Sequence, residues 1–160
     1  MKRIKMTLDK RSIQSAVNQL KAYRDGLPQK AGELTRRLTE QGVTLAQMNA
    51  DFMQIYDTGA LMRGIESRYD GVIGRVVSTA AHSIFCEFGT GVEGAGAPHP
   101  IAAALGWRYD VNGHGELGWW YYDAQGNSRW TKGMPSRPYM LETAKMLEKF
   151  VEPLAKEVFR

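Results

Sequence analysis

Lys132-Gly133-Met134-Pro135-Ser136-Arg137-Pro138-Tyr139-Met140 marks the point where the chain stops reading as sheet and starts reading as helix. Pro138 suits a first helical position, where the missing N–H has no intrahelical partner to lose. Beyond it Met140, Ala144, Leu147, Val151, Leu154 and Val158 recur at steps of four and three. That spacing predicts one amphipathic helix over 138–159, bent near Pro153. Glu152 and Lys156 add a favourable pair one turn apart. Upstream, Trp107 to Val111, Leu117 to Asp123 and Ser128 to Thr131 read as the strands of a predicted meander. Asn112-Gly113-His114-Gly115 and Ala124-Gln125-Gly126-Asn127 supply its turns.

Further back, Leu61 to Arg68 and Val72 to Thr79 read as two more strands around Tyr69-Asp70-Gly71. Ala80 to Phe85 reads as a short helix that leads into Glu87-Phe88-Gly89-Thr90-Gly91. Val92 to Pro100 holds two glycines and two prolines and reads as a mobile loop. At the N-terminus, Ile4, Met6 and Leu8 alternate with Arg3, Lys5 and Thr7, the period of a short half-buried strand. Asp9 is placed to cap a helix. Ile13, Val17, Leu20, Leu27, Ala31, Leu34 and Leu38 then form an apolar stripe interrupted by Arg24. Gly26-Leu27-Pro28 predicts a kink or a break into two helices, and Gln41-Gly42 an end. Residues 43–56 stay ambiguous. The expected class is α+β: a small antiparallel sheet with an N-terminal helix or helix pair and a long C-terminal helix packed on it. One domain is expected over 1–160, with a helical part to residue 41, a sheet region over 55–131 including a mobile segment 91–116, and the closing helix over 137–160.

At 160 residues the chain can bury a real core. Its 43% hydrophobic and 24% charged content is that of an ordinary globular protein. No apolar run approaches the roughly 20 residues that span a bilayer, and no apolar segment follows Lys2 and Arg3, so neither a membrane partner nor a signal peptide is expected. One cysteine, Cys86, excludes an internal disulfide and suits a reducing compartment. The net charge of +4 is uneven, because residues 1–41 carry ten of the 21 Lys/Arg but four of the 17 Asp/Glu. Lys2, Arg3, Lys5, Lys10 and Arg11 are candidates for weak contact with nucleic acid, or simply a solvated face.

No catalytic pattern stands out. GxSxG, GxGxxG and Walker-type loops are absent, and the glycines around Gly89 and Gly91 lack a following Lys-Ser/Thr. His82 and Cys86 stand one helical turn apart, but two ligands do not make a zinc site. No cofactor, metal or enzymatic activity is expected. Trp119-Trp120-Tyr121-Tyr122 is the most unusual stretch. In a strand Trp119 and Tyr121 face one way and Trp120 and Tyr122 the other, so both sides of a small sheet need cover. A helix of the same chain, a neighbouring subunit or stacked bases of a single strand could supply it. Arg137 could fork onto a partner carboxylate, or pair locally with Glu87 or Glu142.

Three phrases in order carry a resemblance. They are Asp57-Thr58-Gly59-Ala60-Leu61, then Ala81 through Thr90, then Gly133 through Met140. In this order and spacing they resemble the tail-completion (neck) proteins of long-tailed double-stranded DNA bacteriophages, although that family usually has an aromatic residue where His82 or Ser83 stands. The resemblance implies a structural virion subunit of the tail and neck, made in the host cytoplasm, that assembles as a ring of six at the head–tail junction. It implies partners among the head-closure protein, the tail terminator and the tail tube, with transient non-specific contact to phage DNA. A tail terminator is the neighbouring possibility within the virion class, and a small basic nucleic-acid-binding module or nuclease the alternative outside it. Interface candidates are Glu87, Phe88, Gly89, Thr90, Gly91, Trp119, Trp120, Tyr121, Tyr122, Arg137, Pro138 and Tyr139.

Overall fold

The architecture is α+β, organised by one long helix. In a computed structural model that describes residues 4–55, 59–109, 117–123 and 125–160, α1 runs without a break over Lys10–Phe52. Asp9 is its N-cap, the carboxylate accepting from Ser12 N–H at 2.9 Å, while Ser12 Oγ accepts from Thr7 N–H at 2.8 Å. Neither expected interruption interrupts it. Pro28 is exposed, so the Arg24 carbonyl that loses its intrahelical donor still faces water. Gly42 is a point of close approach and not a helix end. A Cβ there would stand 2.6 Å from Val76 Cγ2 and 3.4 Å from Leu147 Cδ2. The missing side chain lets strand and C-terminal helix both reach the α1 backbone.

After α1 a single helical turn, α2 (Ala60–Arg63), replaces the first half of the expected strand. The hairpin proper is β1 (Ile65–Tyr69) and β2 (Gly74–Ser78), antiparallel with Ile65 opposite Ser78 and Tyr69 opposite Gly74. Asp70 closes its turn by accepting from Val72 and Ile73 N–H. The next helix, α3, falls at Ser83–Phe88, slightly later than expected. Gly91–Gly96, overlapping the loop expected over Val92 to Pro100, forms a short helix, α4. Trp119–Tyr122 (β3) and Ser128–Thr131 (β4) pair as a second antiparallel hairpin, and β5 (Gly133–Met134) bridges back to Thr90 and Gly91. Among the described residues β1 to β4 thus make two separate two-stranded sheets, β5 makes only these bridges, and Trp107 to Tyr109 are not strand. Asp110 to Glu116, with one of the expected turns, lie outside the described residues, as do Met1 to Arg3 and Tyr56 to Thr58.

The last helix, α5, covers Tyr139–Val158, with Pro138 as its N-cap position and not its first helical residue. It runs antiparallel to α1, as three contacts show in order. Asn49 Nδ2 donates to Thr143 Oγ1 at 3.0 Å, Arg37 approaches Glu157 at 3.5 Å, and Lys30 Nζ donates to the Arg160 carbonyl at 3.2 Å. The core lies where α1, the first hairpin, α3 and α5 meet, and contains Ala46, Ala50, Ile55, Leu61, Ile65, Cys86 and Tyr139. The α1–α5 seam ends near Lys30. The first four turns of α1 therefore extend past the body with Ile13, Val17, Leu20 and Tyr23 exposed. The N-terminal strand does not form. Ile4, Met6 and Leu8 are 38%, 57% and 97% exposed, because α1 carries them away from every strand they could pair with.

Candidate functional site

The two phrases singled out above lie against each other. Glu87 sits at the end of α3, and its carboxylate reaches the start of α5. Oε2 accepts from Met140 N–H at 2.8 Å and Oε1 from Leu141 N–H at 3.0 Å. A residue 53 positions upstream thus caps the helix and complements its positive end. The Glu87 carbonyl accepts from Ser136 Oγ at 2.9 Å, and Arg137 N–H donates to the Cys86 carbonyl at 2.9 Å. Thr90 and Gly91 bridge to Met134 and Gly133. Gly133 is required there. Its φ is +98°, and a Cβ would stand 1.9 Å from the Thr90 carbonyl oxygen.

His99, which glycine- and proline-rich surroundings gave no reason to single out, completes this knot. It is 3% exposed. Ile101 N–H donates to Nδ1 at 3.3 Å, so Nε2 carries the proton and donates to Glu87 Oε1 at 3.0 Å. The His99 N–H donates to the Tyr109 hydroxyl at 3.0 Å. Phe88 lies 4.3 Å from the His99 ring and 4.9 Å from Trp107, whose Nε1 donates to the Gly89 carbonyl at 3.2 Å. The segment expected to be mobile therefore folds onto Glu87–Gly89 through residue 109. Both ring nitrogens of His99 are engaged, which leaves no free base. The only forewarning in the sequence was a histidine flanked by prolines near a glutamate, too common a pattern to act on.

Several interface candidates turn out to be interior. Tyr139 is 1% exposed, and Glu87 and Gly91 are buried, so they shape the surface from beneath. Burial pushes the Tyr139 phenol up. Burial also pushes the Cys86 thiol up, opposed by the nearby Arg137 charge. No ion pair joins Arg137 to Glu87 or Glu142 among the described residues. Likewise, no group of three metal-ligating side chains gathers around His82 and Cys86 or elsewhere among them.

The second hairpin presents the opposite situation. Trp119 faces the body, close over Gly91. On the other side Trp120 and its cross-strand partner Trp130 meet edge to face with centroids 5.4 Å apart, 65% and 47% exposed. Tyr122, on the same side, is 78% exposed. Lys5, Lys10 and Arg11 are exposed on the projecting start of the chain; Lys2 and Arg3 lie outside the described residues. No helix is long and apolar enough to cross a membrane among the described residues. No family model matches the chain, and neither the curated proteins nor the solved structures offer a match.

Proposed function

We propose that this chain is a structural subunit of a tailed-bacteriophage virion, a tail-completion protein that joins copies of itself into a ring at the head–tail junction and has no catalytic role. The observation that carries the reading is the presence of two different uncovered apolar surfaces on one chain. One is the Trp120–Trp130–Tyr122 face, and the other is the stripe on the first turns of α1. Two unlike patches suit heterologous contacts, which close into rings when the rotation permits. The ordered motifs of the neck family favour the same reading. Its partners are further copies and the adjoining head-closure, terminator or tube proteins, with assembly in the host cytoplasm and brief contact with passing DNA. Negative-stain images and light scattering, alone and with purified tails, test it: rings or tail-bound particles are expected. A chain that stays monomeric at high concentration and never joins tails would sink it.

A second reading, a small nucleic-acid-binding module, is favoured by exposed aromatic rings on a chain whose N-terminal part is basic. It requires salt-sensitive oligonucleotide binding that is lost in Trp120→Ala. Absence of binding at low salt removes it.

A further inference from the structure

We infer that the extended N-terminal tip, Ile4 to Leu8, pairs as a third strand with the open edge of β2 in a neighbouring copy. Only in needing that second copy does this rest on the ring reading. Four observations carry it. The tip has the residue alternation of a strand but no strand beside it, and its apolar side chains are exposed. Its Thr7 N–H is already taken by Ser12 Oγ, and Thr7 and Ile4, Met6, Leu8 belong to opposite edges of an extended segment. The edge that remains free is therefore the one formed by Ile4, Met6 and Leu8, whose side chains also share a face.

The outer edge of β2, in the first hairpin, matches it. Asp70 N–H bonds to the Ile73 carbonyl and Thr79 N–H to the Gly64 carbonyl, which fixes Arg75 and Val77 as the residues that exchange bonds with β1. The N–H and C=O groups of Gly74, Val76 and Ser78 point to the other edge, where no strand lies among the described residues. Beside that edge runs an open groove of about 540 Å³, with Val77, Ile84, Ile101, Met140 and Leu141 among its walls. It offers apolar cover to a strand carrying Ile4, Met6 and Leu8 on one face. Such pairing draws affinity from the main-chain hydrogen bonds along the edge and specificity from the side-chain pockets.

Reach decides that the partner is another copy. Thr39 of α1 packs against Gly74, where a Cβ would stand 1.8 Å from Thr39 Oγ1. Asp9 lies thirty residues earlier on an unbroken helix, about 45 Å away at 1.5 Å per residue. Five extended residues cover only about 17 Å. The tip cannot return to its own β2.

The test uses the full chain, a version lacking residues 1–8, Met6→Pro, and the double variant Met6→Cys with Val76→Cys, all followed by sedimentation velocity and thermal melting. Intact protein is expected to assemble, while the truncated and Met6→Pro forms stay monomeric and still melt cooperatively, without the concentration-dependent rise in melting temperature that assembly gives the intact chain. The double variant is expected to give a reducible ladder of cross-linked copies, with buried Cys86 taking no part. Twofold dimers that need residues 4–8 leave the pairing standing and remove the ring. Assembly that proceeds equally well without residues 1–8 overturns the pairing and leaves the ring reading intact. Monomers under every condition, tails included, remove both.

Discussion

Glu87 ties together three stretches of chain that no local rule connects. Its two carboxylate oxygens serve two backbone donors of α5 and one ring donor of His99, and its own carbonyl serves Ser136. Leaving buried donors unsatisfied costs about 1–3 kcal/mol for each group. Glu87→Ala strips the cap from α5 and the partner from His99, and is expected to destabilise by about 3 kcal/mol in urea unfolding. Glu87→Gln keeps an acceptor oxygen but loses the charge that complements the helix end, so about 1–1.5 kcal/mol is expected. Equal losses for the two variants would mean that the charge carries the whole effect, and no loss in Glu87→Gln that it plays no part. The sequence drew attention to Glu87 through its glycine-rich surroundings, but not to its task. The cap lies 53 residues from its helix, beyond any spacing rule, and the usual reading of Pro138 as a helix start already supplied an explanation.

Among the elements, those with a long apolar period were legible and those defined by a partner were not. The stripe from Ile13 to Leu38 and the one from Met140 to Val158 both became helices, and Asp9 became the N-cap. Gly42 misled because the same residue that ends helices also admits a crossing strand, and only the tertiary structure says which. The alternation at Ile4 to Leu8 is genuine, yet a strand needs a neighbour that the chain itself cannot bring there. The Asp9 cap carries a prediction of its own. Hydrogen bonds from Thr7 and then Ser12 hold its carboxyl below the ordinary aspartate value of 3.8. A depressed folded-state value means that the cap's contribution is complete above the ordinary value and fades as the pH falls through the lowered one. Acidification below about pH 4 is therefore expected to fray the first turn of α1 before the core responds. Amide exchange at Ser12 and Ile13, followed by NMR from pH 6 to 2.5, checks this. Protection that stays constant until global unfolding would place the start of the helix under other control.

For the whole molecule, the decisive contrast is between a tightly tied middle and two surfaces that no other described part of the chain covers. Glu87, His99 and Gly133 lock the centre, while the Trp120–Trp130 face and the first turns of α1 stand in solvent. A chain that needed these aromatic rings for its own stability would bury them. An exposed cross-strand pair contributes only about 0.5–1.5 kcal/mol beyond its buried area. The same rings placed at the centre of an interface, fully desolvated, carry about 2 kcal/mol or more each. Stability and assembly should therefore respond to the same change by different amounts. Replacing both tryptophans, Trp120→Ser with Trp130→Ser, is expected to lower unfolding stability by about 1–2 kcal/mol and leave the far-ultraviolet dichroism of the two long helices unaltered. Association, read by sedimentation velocity on the same samples, is expected to disappear. If instead the double variant unfolds while its association constant per folded chain is unchanged, the rings belong to the fold. The second surface of the subunit would then have to be sought on α1 alone.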